Sequence, residues 1–110
     1  MPKNDYTVFW TQTAFNDIDS IIDYLSDDSM TAALDVYKRI KDKATSLISF
    51  PYRGRIVPEL KFQNITTFRE LIISPWRIIY KVEKDVLYIL SVFDGRRNLE
   101  DLLLSRFIND

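Results

Sequence analysis

Between residues 66 and 93 three runs rich in β-branched and aromatic residues follow one another with almost nothing between them: "TTFRELII" (66–73), "WRIIYKV" (76–82) and "VLYILSVF" (86–93). Ser74 and Pro75 separate the first two, and Glu83, Lys84 and Asp85 the last two. Connections this short cannot carry a parallel crossover, so the runs must form an antiparallel meander. The middle run alternates Arg77, Ile79 and Lys81 with Ile78, Tyr80 and Val82, although Ile79 spoils a strict two-sided pattern. The last run is apolar on both faces, as expected of a central strand covered by helices on one side. It ends in Asp94 and Gly95, which turn the chain into two adjacent arginines, Arg96 and Arg97.

The meander needs a cover, and the first half of the chain supplies one. "YTVFW" (6–10) reads as a strand. From an N-cap at Thr11 or Thr13, the apolar residues Phe15, Ile18, Ile22 and Leu25 recur at helical spacing, while Asn16, Asp17, Asp19 and Asp23 are expected to face water. "SDDS" (26–29) breaks this helix and caps the next. Its stripe of Ala33, Val36, Tyr37, Ile40, Ala44, Leu47 and Ile48 ends before Pro51. Two amphipathic helices so close in sequence form an antiparallel hairpin. The first stripe is expected to pack on Ile40, Ala44 and Leu47. "PYRGRIVPEL" (51–60) is the one clear loop. Asn98 is a candidate cap for a short final helix, with Asp101 at its third position and Leu99, Leu102, Leu103 and Phe107 as its apolar side. The predicted order is β-α-α-β-β-β with a short C-terminal helix: an α+β fold with a helical hairpin packed on a small, mostly antiparallel sheet, in a single domain over residues 1–110.

Composition removes several kinds of chemistry. The chain has no cysteine and no histidine, so it lacks thiolate and imidazole metal ligands and the commonest general base. No cofactor and no metal are expected. No apolar run reaches the roughly 20 residues of a membrane helix. The start shows no signal-peptide pattern, and a cytoplasmic protein is expected. A net charge of −1 hides an asymmetry: residues 1–50 hold five Lys/Arg against eight Asp/Glu, and residues 51–97 hold nine against five. An anionic partner would therefore meet a local patch, formed by Arg69, Arg77, Arg96 and Arg97. The bland alternative is solvated charge, or pairing of Arg96 and Arg97 with Glu100 and Asp101. The tail "LEDLLLSRFI" is open in the same way, as a helix docked on the core or as a patch covered by a partner.

The element order, with "WTQTAFNDIDSIIDYL", "PYRGRIVPEL" and "FRELIISPWRIIYKVEKDVLYILSVFDGRR", resembles the RelE/ParE superfamily of bacterial type II toxins, over about residues 6–97. The resemblance implies a toxin held by a cognate ParD- or RelB-like antitoxin, with Leu102, Leu103 and Phe107 as candidate antitoxin contacts. RelE-like members cut messenger RNA on the ribosome. That chemistry needs a base, an acid and cations on the phosphorane, for which Glu59, Arg77 and Arg96 are the candidates. The C-terminal His or Tyr of several nuclease members is missing, since no Tyr follows Tyr88. An arginine, with a pKa above about 12, cannot simply replace it as acid. ParE-like members block DNA gyrase by binding alone and resemble this chain more closely, although many carry His where this chain has Asp94. The expected function is therefore gyrase inhibition without catalysis. Messenger cleavage, or an interaction module whose target site has decayed, are the alternatives.

Overall fold

The computed structural model describes residues 6–97 together with Leu102, Ser105 and Arg106. Strand β1 (Thr7–Trp10) leads into helix α1 (Gln12–Ser26), and helix α2 (Met30–Thr45) runs on into a 3₁₀ turn at Ser46–Ile48. A two-residue strand β2 (Arg55–Ile56) and a one-turn helix α3 (Pro58–Lys61) precede the meander β3 (Arg69–Ile73), β4 (Trp76–Glu83) and β5 (Val86–Asp94). The sheet order is β1-β5-β4-β3-β2; β1 pairs with β5 in parallel and every other pair is antiparallel. This is the expected α+β arrangement. The difference lies in residues 51–60, where β2 and α3 replace the expected plain loop.

Local chemistry accounts for the element ends. Thr11 caps α1 by accepting the Ala14 N–H at 3.2 Å, and its own N–H and hydroxyl both donate to the Ile89 carbonyl at 3.0 Å. One residue thus ends β1, starts α1 and fastens the helix to β5. Ser29 caps α2 by accepting the Ala32 N–H at 3.1 Å. Lys84, with φ of 56°, turns the β4–β5 hairpin, and the Ser74–Pro75 peptide bond in the β3–β4 turn is cis.

The principal core lies between the hairpin and one sheet face. Ala14 and Ile18 of α1, Ile40 and Ala44 of α2 and Leu47 meet Leu71, Ile73, Ile78, Tyr80, Leu87, Ile89 and Val92. Alanines at the helix contacts let the layers approach closely. The expected stripe on α1 needs correction. Ile18 is buried and Ile22 half-buried, but Phe15 is 54% exposed, because Ala14 and Ile21 take the sheet-facing positions. On the second stripe Tyr37 and Ile48 are likewise exposed.

The outward Ile79 also finds its explanation. Between Ile79 and Tyr80 the pairing with β5 jumps from Ser91 to Ile89, so Leu90 is an extra residue that forms a bulge. The bulge returns Val92 to the inner face and sends Phe93 to the outer one. There Phe93 and Ile79 join Val57 and Leu60 in a second cluster, with Ile65, Phe68 and Leu102 packed against it. The described tail residues Leu102, Ser105 and Arg106 are helical, as expected of a final helix; Asn98, Leu99, Asp101, Leu103 and Phe107 lie outside the described residues.

Tyr80 ties the 51–60 segment to the core: its buried hydroxyl donates to the Pro51 carbonyl at 2.9 Å and accepts the Gly54 N–H at 3.0 Å. Gly54 fits there because a Cβ would fall 2.6 Å from the Glu70 carbonyl oxygen and 2.7 Å from the Tyr80 hydroxyl. Tyr80→Phe should cost about 1–3 kcal/mol by leaving the Gly54 N–H buried and unpaired. Ile40→Ala should cost about 2–5 kcal/mol. Urea unfolding of the two variants checks both values.

Candidate functional site

The structure separates the four arginines of the expected patch. Arg77 points to the outer sheet face, where its side chain is only 8% exposed. Its Nε donates to Glu70 at 2.6 Å, and its Nη1 and Nη2 both reach the Glu59 carboxylate at 2.9 Å. Glu70 has no exposed side-chain surface and takes a second cation, the Nε of Arg55 at 2.6 Å. An ionic chain Arg55–Glu70–Arg77–Glu59 therefore runs across β2, β3, β4 and α3. Two charge-assisted contacts on each buried member offset the cost of removing it from water. Arg69 is engaged elsewhere. It donates to the carbonyls of Gly54 at 2.7 Å and Tyr52 at 3.3 Å and lies over the Tyr52 ring.

This pairing sets the charge states of Glu59 and Arg77. The hydrogen bonds from Arg77 hold the Glu59 carboxyl below its ordinary value despite partial burial, so it is a weak base. Burial works against the charge on Arg77, yet the bonds to Glu59 and Glu70 outweigh it and raise its pKa. The two residues are brought together, but as a closed bidentate pair.

Arg96 and Arg97 sit on the other side, at the end of β5. Arg96 is 77% exposed and grips Asp94 through Nε at 2.9 Å and Nη2 at 2.6 Å. These side-chain bonds, with the Arg96 N–H as a lesser cause, lower the Asp94 carboxyl to about 2. The pairing partner is thus Asp94, the position where the resemblance noted a departure. Both arginines border a cleft of about 690 Å³ between the helical hairpin and the β3–β4 turn, with Tyr24, Arg39 and Trp76 also on its walls. Sequence reasoning passed over these three. The one available signal was Trp76 at a tight turn beside Pro75, a large aromatic where a small polar residue is usual.

A second ionic group was also missed. Asp17, expected to face water, is part-buried and accepts from the Val92 N–H at 2.9 Å and the Ser91 hydroxyl at 3.1 Å. Arg106 completes the group, donating to Asp17 at 2.8 Å and to the Ser91 hydroxyl. This corrects the reading of Asp17 as solvated: β1 ends in register with Ile89, and Asp17 satisfies the strand edge beyond it. Of the expected antitoxin contacts, Leu102 is half-buried on the second cluster, whereas Leu103 and Phe107 lie outside the described residues.

Removing one member of a buried pair leaves the other charge uncompensated, so Arg77→Ala should cost about 3–5 kcal/mol in urea unfolding. The lowered Glu59 pKa makes its ionisation stabilising above 4.5, its ordinary value, and that contribution is lost as pH falls through the lower folded-state value. Glu59→Gln should accordingly flatten the loss of stability below pH 4.5, read from unfolding midpoints across an acid series.

The comparisons with known proteins agree with this geometry. The family model described as "ParE toxin of type II toxin-antitoxin system, parDE" matches residues 8–99. Toxin RelE2 of Caulobacter vibrioides is 34% identical over 91 residues, covering 82% of this chain and 96% of that protein. Toxin ParE3 of the same organism is 28% identical over 93 residues, covering 84% and 89%. A solved structure titled "Chromosomal ParDE TA system from P. aeruginosa" has the same fold, with a TM-score of 0.70 at 21% identity over 84% of this chain and 98% of that one. The meander, the helical hairpin on its inner face and the match over nearly the whole length lead to one conclusion: the chain belongs to the ParE toxin family of type II toxin–antitoxin systems, within the RelE/ParE superfamily.

Proposed function

We propose that this toxin inhibits growth by binding DNA gyrase through Arg96 and Arg97, without chemistry of its own, and that a ParD- or RelB-like antitoxin restrains it. One observation carries the reading: the candidate base, Glu59, has both oxygens on the buried Arg77 guanidinium. A general base must reach the proton it removes, and a stabilising cation must point at the charge that develops. Here the two groups are turned on each other, which supports the reading without catalysis. Arg96 and Arg97 are exposed and held at a strand end, which is all a binder needs. Lysine at these positions should not restore full activity, because the planar guanidinium makes bidentate contacts that an ammonium cannot.

The ribosome-dependent nuclease stands as the second reading. The likeness to a protein named Toxin RelE2 favours it, and so does the adjacency of Glu59 and Arg77. It requires the bidentate pair to open on the ribosome. An interaction module with a decayed target site is the third. The antitoxin contact is proposed on the tail at Leu102, Leu103 and Phe107. The action is proposed in the cytoplasm, where gyrase and ribosomes are found, and among the described residues no helix is long and apolar enough to cross a membrane.

The test is induction of the chain alone in a bacterial host, alongside purified assays. The wild type should slow gyrase supercoiling and leave ribosome-bound messenger uncut. Arg96→Ala with Arg97→Ala should abolish growth inhibition while leaving unfolding midpoints and antitoxin co-elution unchanged. Messenger cleavage that disappears with Glu59→Gln, a substitution that keeps the shape of the pair, would establish the nuclease instead.

A further inference from the structure

The cleft beside Arg96 and Arg97 has a floor of carbon and a rim of positive charge. Ile21 of α1, Val36 of α2 and Trp76 of β4 meet there, each half-buried against the edge of the principal core. Arg39, Arg96 and Arg97 stand around them. An adjoining depression shares Arg39 and Ser74 and adds Lys43 and Arg53, so among the described residues five cations line the two hollows against Asp42 and Asp94. Lys38 occupies Asp42 at 2.8 Å and Arg96 occupies Asp94. Three of the cations remain available, and one of them, Lys43, has no side-chain hydrogen bond or ion pair among the described residues. Arg39 has only a 3.8 Å contact with Asp35 one helical turn away, both side chains being more than half exposed. Among the described residues the Arg97 guanidinium makes no hydrogen bond.

We infer that this cleft takes an acidic peptide segment of the protein target, with one large apolar side chain seated between Ile21, Val36 and Trp76 and its carboxylates on Arg39 and Arg97. The inference rests on the reading that Arg96 and Arg97 meet the target, and it gives that contact a chemistry: the arginines read protein carboxylates rather than DNA phosphates. A duplex phosphodiester backbone is charged along its length and offers an apolar floor only sugar carbons, with no large apolar group to seat in it. An amphipathic acidic segment satisfies floor and rim together, since an apolar anchor in a desolvated pocket with charged contacts around it is the usual distribution of binding energy at a protein interface. Asp94 acts as a specificity residue here. By occupying Nε and Nη2 of Arg96 it leaves that guanidinium only its remaining N–H groups for the target and limits the negative charge that the cleft accepts.

The experiment uses the whole chain and three labelled probes in fluorescence anisotropy: a synthetic heptapeptide of Asp and Glu around a central Phe-Leu, the same peptide with Ser-Ser at the centre, and an oligothymidylate. The Phe-Leu peptide should bind saturably and shift the Trp76 indole resonance, assigned by its disappearance in Trp76→Phe. Binding should weaken about tenfold in Arg97→Ala and tighten about tenfold in Asp94→Asn, the change expected when one charge-assisted hydrogen bond to the peptide is removed or added. Excess peptide should relieve gyrase inhibition by the wild type. Equal binding of the Ser-Ser peptide, or tighter binding of the oligothymidylate, would overturn the inference, because charge alone would then account for the surface. A Phe-Leu peptide that displaces the antitoxin yet leaves gyrase inhibition intact would also overturn it, by assigning the cleft to the antitoxin. Peptide binding with these variant effects in a chain that does not inhibit gyrase keeps the cleft's chemistry and removes only the gyrase reading.

Discussion

Glu70 is a carboxylate with no side-chain surface exposed to water, and much of the architecture follows from meeting its needs. A buried anion is tolerated only with cations in good geometry beside it. One cation, Arg77, comes from the neighbouring strand, and the other, Arg55, from a segment fifteen residues earlier. Arg77 is itself buried and needs a second anion, which α3 supplies as Glu59. Each charge in the series thus recruits the next. The series gathers two strands of the meander, the two-residue β2 and the one-turn α3. Elements as short as β2 and α3 have little stability of their own. Their placement depends on this ionic chain, on the Tyr80 hydroxyl and on the Val57 and Leu60 contacts of the second cluster.

The same chain of charges shapes what the molecule can do. It uses Glu59 and Arg77 as structural partners, and Arg69 is spent in a similar way on the carbonyls of the 51–60 segment. Catalysis on the outer face would therefore compete with the fold for the same groups. Arg96 and Arg97, both exposed, lie instead at the end of β5, beside an apolar cleft that belongs to the helical side. The two faces of one sheet differ: the outer face is locked by ion pairs and a small apolar cluster, and the inner edge carries an open cleft bordered by exposed arginines. The Leu90 bulge contributes to this division, because it turns Val92 inward and Phe93 outward just before the strand delivers Asp94, Arg96 and Arg97.

A second ion group does for the helical layer what the first does for the 51–60 segment. Asp17 joins α1 to the free stretch of β5 and to Arg106 of the tail, so the helix, the sheet edge and the chain's last described helical residues share one carboxylate. Leu102 lies on the opposite sheet face, over Ile79 and Phe93. The tail therefore touches both layers. A partner that engaged it would act on the outer cluster and on the β5 edge together.

The sequence by itself determined the meander, the two helices and the residues that offer to cap them. These are signals between residues a few positions apart, and side-chain periodicity with tight-turn chemistry reports them directly. It also placed Arg96 and Arg97 at a strand end. Only the tertiary structure decided which charges meet water. Arg77 alternates with apolar neighbours as a solvent-facing residue would, and Asp17 sits among polar helix positions, yet both are enclosed by partners 7, 18 and 75 residues away. Alternation tells which face a side chain takes and says nothing of what covers that face. The same holds for Phe15, apolar and correctly spaced but left outside because Ala14 gives the closer approach to the sheet. The cleft beside Arg97 belongs to this second class. Ile21, Val36 and Trp76 lie on three elements, and only the packing of the hairpin against the β3–β4 turn makes them one floor.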